Sequence, residues 1–536
     1  MIDLKWHNKE VITNKEVVRL PPCVFMNTSP ALFMLEKHRR NNSRVLIHAD
    51  VDVDGVGSAF IVKRYLEVLG IKTIMCTINS EKEHGIKASH AMYINSNKAA
   101  ELFIVVDSSS NELEAIKACE CDVLVIDHHS VLHNELSGKT NDGVHDFIIV
   151  NNTVENILFE RDMNWLKSVV PELETRLEPY EVDINMSCGV VIHELFTIYS
   201  MILKDEITLN NLMLFQWAGI TLFTDSVTLD NARNQWYIEN TVMINNMEPC
   251  IYTIVRQLNR FKAKLTATFI NYTFAPTINK AIRAGASSEA LNIVLNYPNR
   301  ILELEHYKEL QSKALELACT GEEGSIGSFI MKDITEYGIS KNYCGVIAAH
   351  LSGKYNKNVV VYIMNGDRAE GSFRGRTQAD YRQYFEDFSK DIYAQGHPPA
   401  FGFKATIEQL REIGKGLGSV EERADTREFI SVGSMPENEK GVNHIESIDE
   451  LRKDGMLFWV AIGNAKVSTN EKIYIKTSVA NVKLIKQTGK LLYYDVLGLE
   501  CKAFSDINSS YVRIYVEYGN ELEFFVENCK TCISDI

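Results

Sequence analysis

The 536-residue chain lacks the features of several special protein classes. It has no run of about 18 apolar residues, so we expect no membrane-spanning helix. Its first residues, Met1 to His7, lack the basic and then apolar pattern of a secretory signal. The 11 cysteines follow no framework spacing, which is typical of a reducing compartment, and we expect a cytoplasmic protein. One CxxC pair, Cys529 and Cys532, has no second pair to complete a structural zinc site.

The sequence also lacks an excess of positive charge. Its formal net charge is −15, from 56 basic and 71 acidic side chains. This argues against a protein that coats nucleic acid through a broad basic surface. A locally basic groove is still compatible with this charge, because part of the acidic excess can lie at metal sites.

The first half of the chain alternates between short apolar runs and helical patterns. Short buried strands that alternate with helices are typical of a mostly parallel α/β sheet. The predicted strands cover residues 44–48, 72–78, 102–106, 122–126 and 147–150. The predicted helices cover residues 57–69, 112–119, 188–201 and 212–223.

The second half predicts a division into further domains. Residues 414–440 are rich in Gly, Glu and Ser, as linkers are, and the runs beyond them have a β-rich composition. We therefore expect an α/β protein with a C-terminal, mainly β domain. The predicted parts are an N-terminal segment with a first α/β domain (1–298), a bridging helix (299–320), a smaller α/β domain (321–413), a linker (414–440) and a β-rich domain (441–536).

Ionisable side chains are concentrated directly after the first predicted strand. His48, Asp50, Asp52 and Asp54 occupy alternate positions of a seven-residue stretch. On an extended segment, alternate side chains point the same way, so these four could share one side. Such a cluster would repel itself and desolvate at a high free-energy cost unless a cation compensated it.

Two more predicted strands end in the same kind of residue. One ends at Asp107, and another ends in Asp127-His128-His129. A lone Asp after a strand is usually a cap or turn residue. In an open parallel sheet, however, the carboxyl ends of neighbouring strands lie together and ligands bind there. Three such strand ends therefore predict a metal site at one edge of the sheet.

These residues resemble the motifs of the DHH phosphoesterase superfamily, which is named for the triplet Asp-His-His. All four superfamily motifs occur in order along the chain, and the third is the triplet itself. The matching residues are His48, Asp52, Asp54, Gly57 and Ser58 for the first motif, Asp107 for the second, Asp127-His128-His129 for the third and Asp225 for the fourth.

The resemblance implies a centre for two divalent metal ions, usually Mn²⁺, with Mg²⁺ as the alternative. Mixed carboxylate and imidazole ligation suits Mn²⁺ among the hard cations. The resemblance also implies that His129 faces a phosphate. We count His129, Asp50 and Asp127 as catalytic candidates, with Asp50 either a ligand or a support and Asp127 orienting a histidine. The implied metal ligands are His48, Asp52, Asp54, Asp107, His128 and Asp225.

Further segments between residues 44 and 403 are similar to RecJ-type single-strand-specific exonucleases. One contains Ala275-Pro276 followed by Asn279 and Arg283, and the others contain a Gly-Ser-x-Arg and a Gly-His-x-x-Ala-x-Gly element. Departures from the pattern, such as Gln395 where a glycine is usual, suggest a divergent member. The substrate-binding residues that the resemblance implies are Asn279, Arg283, Ser372, Arg374, Gly396 and His397.

The resemblance implies a 5′-to-3′ exonuclease that degrades single-stranded DNA to mononucleotides in DNA repair and recombination. One alternative is a DHH phosphodiesterase of short oligoribonucleotides or cyclic dinucleotides. Another is a non-catalytic, replication-associated scaffold. We expect no membrane partner, and replication or repair proteins could bind the C-terminal domain.

The C-terminal domain has two readings that the sequence leaves open. RecJ proteins carry an oligonucleotide-binding barrel there, in which tyrosines could stack on bases and cations could contact phosphates. Equally, the tyrosines could be the half-buried residues of any β domain. The residues concerned are Tyr474, Tyr493, Tyr494, Tyr511, Tyr515, Tyr518, Lys472, Lys476, Lys483, Lys486, Lys490 and Arg513.

Overall fold

The computed structural model describes most of the chain. Cys529, Cys532, Lys472 and Lys490 lie outside the described residues. In the described part of the chain, no helix is both long and apolar enough to cross a membrane. The described ranges are 19–169, 178–179, 186–225, 227, 232–242, 246–259, 265–319, 324–326, 329–355, 357–375, 379–397, 399–417, 429–432, 442–445, 474–478, 482–488, 491–508, 511–518 and 522–528.

A six-stranded sheet forms the centre of the first half of the chain, in the order β3-β2-β4-β5-β7-β6. All neighbouring strands run parallel except the edge pair β6 and β7. The runs of Val, Ile and Leu in β4 and β5 are buried, as expected for strands with both faces covered. The strands are β1 (Cys23–Val24), β2 (Val45–Ala49), β3 (Ile74–Ile78), β4 (Leu102–Val106), β5 (Asp122–Asp127), β6 (Ser137–Lys139), β7 (Asp146–Asn151) and β8 (Glu178–Pro179), of which β1 and β8 form a separate parallel pair.

Helices pack around this sheet. Ile94 and Ile116 of two short helices pack against Phe103 of β4 and Val123 of β5, which closes one core cluster. The helices are α1 (Thr28–Asn41), α2 (Val53–Val68), α3 (Ala88–Asn97), α4 (Leu113–Lys117), α5 (Phe159–Val169), α6 (Cys188–Leu203), α7 (Glu206–Asn211), α8 (Phe215–Thr224), α9 (Ala232–Val242), α10 (Pro249–Leu258), α11 (Ala267–Phe269), a π-helix (Ile270–Phe274), α12 (Ala275–Arg283), α13 (Ser287–Asn296) and a 3₁₀-helix (Pro298–His306).

One local expectation was wrong. The helix expected from residue 57 begins at Val53, because Asp52 is its N-cap and accepts a hydrogen bond from the Gly55 N–H at 3.1 Å. Asp54 therefore lies in the first helical turn. It does not continue an extended segment with His48, Asp50 and Asp52.

A second six-stranded sheet follows in the order β13-β14-β12-β11-β10-β9. Only β10 and β11 are parallel within it. Ile347 and Ala318 of two helices cover one face, and Phe385 and Ile413 of two others cover the opposite face. The elements are α14 (Tyr307–Ala318), β9 (Gly324–Ile326), β10 (Phe329–Asp333), 3₁₀-helices (Thr335–Tyr337 and Lys341–Tyr343), α15 (Cys344–Tyr355), β11 (Asn358–Asn365), β12 (Arg368–Arg374), α16 (Tyr381–Phe388), β13 (Tyr393–His397), β14 (Ala400–Ala405) and α17 (Ile407–Gly416).

The last described strands form an eight-stranded mixed sheet in the order β16-β15-β17-β21-β22-β20-β19-β18. The α/β class with a strand-rich C-terminal region is confirmed. Within the segment expected as a linker (414–440), α17 extends to Gly416 and β15 (Phe429–Val432) is a strand of this sheet. The strands are β15 (Phe429–Val432), β16 (Val442–Ile445), β17 (Tyr474–Ser478), β18 (Val482–Thr488), β19 (Leu491–Val496), β20 (Leu499–Ala503), β21 (Tyr511–Tyr518) and β22 (Leu522–Asn528).

The described residues fall into two units, one within Asn14–Leu304 and one within Glu305–Ile536. The division falls inside the segment expected as a bridging helix, residues 299–320. The structure forms that segment as a 3₁₀-helix followed by α14. The first unit contains the parallel sheet, and the second contains the other two large sheets.

Candidate metal centre

The register of the parallel sheet brings three acidic strand ends to one edge. Ala49 pairs with Val106, and Val106 pairs with Ile126, so β2, β4 and β5 end at the same level. Asp50 and Asp107 follow the first two of these strands, and Asp127 is the last residue of the third. The sheet therefore places three carboxylates side by side, as the sequence predicted.

The turn from β2 into α2 adds two more carboxylates. Gly55 approaches the backbone of Asp50 so closely that a Cβ at Gly55 would lie 2.5 Å from the Asp50 carbonyl oxygen. Only glycine fits this approach. The tight turn places Asp52 at the cap of the helix and Asp54 within its first turn.

Asp54 is fixed by the first residues of a second helix, α6. Its carboxylate accepts hydrogen bonds from the Cys188 N–H at 2.9 Å and the Gly189 N–H at 3.1 Å. The Ser58 hydroxyl donates a third at 3.1 Å. A helix N-terminus stabilises negative charge through its free N–H groups and its dipole. The buried carboxylate is therefore held in one orientation.

His128 lies between three of these carboxylates. Its Nε2 is 3.2 Å from Asp107 Oδ1 and 3.9 Å from Asp54 Oδ2, and its Nδ1 is 3.6 Å from Asp225 Oδ2. Asp225 is the residue at the C-terminal end of α8. Carboxylates from three separate segments thus converge on one imidazole.

Within the described part of the chain, three sets of side chains have ligand atoms close enough to share a metal ion. The atoms of each set lie within 4.8 Å of one another. Carboxylate oxygens, alone or together with one or two imidazoles, suit hard or borderline divalent cations. The sets are Asp54, His128 and Asp225; Asp50, Asp52 and Asp107; and Asp107, His128 and His129.

The electrostatics of the cluster call for a cation. Burial raises the pKa of Asp54 well above its ordinary value, and the charges of Asp225 and Asp52 add to this effect. Burial, followed by Asp54 and Asp52, raises the pKa of Asp107 in the same way. Asp107 Oδ1 is buried and accepts no hydrogen bond from any described residue. A divalent ion would offset the repulsion between these carboxylates and would be coordinated by Asp107 Oδ1. The residues present therefore fit a metal site.

Asp127 organises the Asp-His-His triplet from behind. Its carboxylate accepts hydrogen bonds from the backbone N–H groups of His128, His129 and Ser110 and contacts the His129 Nδ1 at 2.8 Å. The Asn151 amide donates to the His129 carbonyl oxygen at 2.9 Å. These bonds hold both the backbone and the ring of His129 in place.

His129 is the exposed member of the triplet, with 46% of its side chain accessible. Burial lowers the pKa of His129, but the charge and hydrogen bond of Asp127, with the charges of Asp225 and Asp50, outweigh it. The resulting pKa is about 10. A protonated, exposed imidazole at this position can contact an anionic oxygen.

His48 is the one predicted ligand that the three sets do not contain. Its Nδ1 lies 3.1 Å from the Thr77 hydroxyl, and its ring lies 4.7 Å from that of His90. Its Nε2 is buried without a hydrogen-bond partner among the described residues. Burial, with the nearby His90, lowers the pKa of His48 to about 3, so a neutral ring nitrogen is available. Its role as a ligand stays a prediction.

The predicted substrate residues lie in both units. Asn279 and Arg283 are half-buried on α12 of the first unit. Ser372 and Arg374 lie on β12 of the second, where both side chains reach over Gly345 near the start of α15.

Gly396, on β13, has a φ of 131° and would bring a Cβ to 3.0 Å from a backbone oxygen, so glycine is required there. The neighbouring His397 lies on the same strand, but its side chain is outside the described residues.

Three residues that contribute to the centre have no signal in the sequence. His84 contacts Asp50 Oδ2 at 2.6 Å from a loop without a recognisable motif. Ser110 and Asn151 support the triplet through bonds that only the fold creates. The start of α6 was predicted at Cys188, and a helix N-terminus favours anions, so its contact with Asp54 could have been anticipated.

Comparisons with known proteins agree with this geometry. Residues 44–148 match the family model described as DHH family, N-terminal domain. A Bacillus subtilis strain 168 protein described as a putative SPbeta prophage-derived single-strand DNA-specific exonuclease, YorK, is 21% identical over 435 residues. The match covers 73% of this chain and 68% of the relative. The corresponding Bacillus phage SPbeta protein matches to the same extent.

Two solved structures share the fold. The Thermus thermophilus RecJ structure with Mn²⁺ matches 98% of this chain and 74% of its own, with 16% identity and a TM-score of 0.62. The structure of RecJ from the same organism with Mg²⁺ matches 98% and 73%, with 17% identity and a TM-score of 0.57. Residues 44–148 therefore match a DHH N-terminal domain, and the chain as a whole has a RecJ-like fold.

Proposed function

We propose that this chain is a two-metal exonuclease that degrades single-stranded DNA from the 5′ end to mononucleotides. The observation that carries the proposal is the convergence of Asp54, Asp107 and Asp225 on His128 beside the Asp50 and Asp52 carboxylates. Asp107 belongs to the set with Asp50 and Asp52 and also to the set with His128 and His129. His128 in turn belongs to the set with Asp54 and Asp225, so the linked sets fit two neighbouring ions. The relatives described as single-strand DNA-specific exonucleases support the substrate.

The residues of the chain have distinct tasks in this proposal. Asp54, His128 and Asp225 would hold one ion and Asp50, Asp52 and Asp107 the other, with His48 as a further ligand. Such ions supply Lewis-acid activation of water and of the phosphoryl group when bound. His129, held by Asp127 and exposed, would contact a non-bridging phosphate oxygen and neutralise charge there. Mn²⁺ is the ion we favour, with Mg²⁺ as the alternative.

The second unit is proposed to bind the nucleic-acid backbone. Arg374 and Ser372 lie beside Gly345 near the start of α15, where a guanidinium and a hydroxyl can both donate to a phosphate. Gly396 allows close approach of the backbone. Asn279 and Arg283 on α12 are proposed contacts in the first unit.

The deciding experiment compares substrates in Mn²⁺. Single-stranded DNA labelled at the 5′ or the 3′ end, blunt duplex DNA, single-stranded RNA and dinucleotides are digested side by side. We expect early release of 5′-labelled mononucleotide from single-stranded DNA and slow attack on the duplex. Equal rates on duplex, or early product only from 3′ labels, would refute the proposal. Cleavage confined to dinucleotides would favour the small-substrate class, and no cleavage of any substrate would favour a scaffold.

A further inference from the structure

The loop between β3 and α3 presents one side chain to the candidate metal centre. His84 Nδ1 lies 2.6 Å from Oδ2 of Asp50, whose side chain is 2% exposed. The next residue, Gly85, has its backbone N–H 3.4 Å from Oδ1 of the same carboxylate. Both oxygens of Asp50 are therefore approached by donors from one loop.

The shape of this loop does not depend on the His84 side chain. The Asn79 amide donates to the Glu83 carbonyl oxygen at 2.7 Å and to the Gly85 carbonyl oxygen at 2.9 Å. The Ile86 N–H donates to the Ser109 hydroxyl at 2.9 Å. These bonds fix the loop against the segment that follows Asp107. The contact of His84 with Asp50 is therefore not needed to hold the loop in place.

Asp50 needs an orienting partner. It belongs to the set with Asp52 and Asp107, whose ligand atoms lie within 4.8 Å of one another. A carboxylate on a turn can rotate about its side-chain bonds, and each oxygen has two lone pairs. A donor on the outer side of Oδ2 restricts that rotation and leaves the remaining lone pairs directed inward. Outer hydrogen bonds of this kind commonly orient metal-binding carboxylates.

We infer that His84 is a positioning residue that orients Asp50 toward a divalent cation through its Nδ1–H. The inference rests on the proposed two-metal function, in which Asp50 is a metal ligand, the alternative that the sequence left open. His84 itself touches neither the ion nor the nucleic acid in this account. Its contribution lies in the affinity of the site for metal.

Calorimetric titration of the full chain with Mn²⁺ tests the inference independently of cleavage. We expect His84→Ala to weaken the Asp50-dependent site by about 10- to 100-fold. His84→Asn places an amide donor at the δ position of the native ring and should restore most of the affinity. His84→Gln places its donor one bond further out and should restore less.

A matched control comes from another histidine–aspartate pair. His145 Nδ1 lies 2.6 Å from Asp142 Oδ2 in the hairpin between β6 and β7, and Asp142 belongs to none of the three sets. His145→Ala should leave Mn²⁺ affinity unchanged.

Wild-type Mn²⁺ affinity in His84→Ala would overturn the inference, as would a folded His84→Asn variant that binds as weakly as His84→Ala. If wild type binds two ions but cleaves no nucleic acid, the proposed function fails while the titration still decides the role of His84. If His84→Ala does not fold, the Asn and Gln variants decide it by the same comparison.

Discussion

Asp107 carries much of the electrostatic cost of the candidate centre. Its buried carboxylate lies near Asp54 and Asp52, and its pKa is raised well above the ordinary value. A raised folded-state pKa means that stability present at low pH is lost as the pH rises through that value. Without metal, Asp107→Asn should therefore leave the protein at least as stable as wild type at pH 8.

The Asp107→Asn variant should also lose the stabilisation by metal and the cleavage activity that depend on this carboxylate. We expect Mn²⁺ to raise the melting temperature of wild type but not of Asp107→Asn. Cleavage should fall by about a thousandfold or more, since several kcal/mol of barrier reduction would be lost. Melting curves with and without Mn²⁺ check this. A variant that is destabilised without metal but still stabilised by Mn²⁺ would show that Asp107 is a structural residue.

Arg374 allows a test of the proposed backbone-binding residues. Arg374→Ala should weaken binding of single-stranded DNA and reduce the slope of log affinity against log salt by about one, because one phosphate contact is lost. Arg382→Ala on α16 is a suitable control, since Arg382 pairs with Glu386 within its own helix. Fluorescence anisotropy at several salt concentrations measures both. Unchanged affinity and slope in Arg374→Ala would remove it from the site.

At this scale, the sequence predicted residue types better than residue contacts. The positions of Asp50, Asp107 and Asp127 after apolar runs were sufficient to predict that these residues lie close together, because the ends of parallel strands meet at one edge of the sheet. The contact of His84 with Asp50 could not be predicted, because it depends on a loop conformation that Asn79 fixes. Likewise, the position of His48 beside Thr77 follows from the register of β2 and β3.

Among the elements, α8 positions Asp225 and packs closely against α9. A Cβ at Gly219 of α8 would lie 1.8 Å from the Thr241 hydroxyl and 2.8 Å from the Tyr237 carbonyl oxygen. Gly219→Ala should therefore displace one helix, cost about 1–3 kcal/mol of stability and reduce activity through Asp225.

Gly353→Ala in α15 is the matched substitution, since nothing lies within 4 Å of its Cβ position. It should be neutral or stabilising by up to about 1 kcal/mol, because Ala is the better helix former. Urea unfolding of both variants provides the measurement. Equal stability changes in the two would contradict the close packing of α8 on α9.

Helix α9 also carries a carboxyl group that should make stability depend on pH. Burial raises the pKa of Glu239 from 4.5 to about 7. The stability associated with its protonated form is fully present below about pH 4.5 and is lost as the pH rises through about 7. Glu239→Gln removes this loss. Its melting temperature relative to wild type should rise between pH 5 and pH 8, and a flat difference across that range would contradict the burial argument.

The periodicity of the sequence predicted elements well where one pattern dominated. The five parallel strands of the first sheet and the helix from Cys188 were predicted to within a few residues. The start of α2 was missed by four residues, because Asp52 was interpreted as part of a strand end although it caps the helix. An aspartate that caps a helix and is also a candidate metal ligand gives no separate sequence signal for each role.

For the whole molecule, the composition and fold leave some predictions open. The α/β class and the RecJ-like fold are confirmed. The oligonucleotide-binding barrel, the partner proteins and the roles in repair and recombination stay predictions. Tyr493 lies under the Lys486 ammonium at 4.6 Å, whereas Tyr494 is buried. Of these two tyrosines, only Tyr493 is partly accessible and has a cation beside it, and single-strand-binding surfaces use accessible rings together with cations that contact phosphates.

Two divalent ions bound by the acidic strand ends are what would make this chain a nuclease. The most direct test combines calorimetric Mn²⁺ titration with cleavage of 5′-labelled single-stranded DNA, using wild type and Asp107→Ala. We predict two bound ions and cleavage for wild type, complete loss of cleavage with EDTA, and loss of both an ion and cleavage in the variant. Undiminished cleavage by wild type in EDTA would contradict the two-metal account. Mn²⁺ binding and DNA cleavage at wild-type levels in Asp107→Ala would contradict it as well.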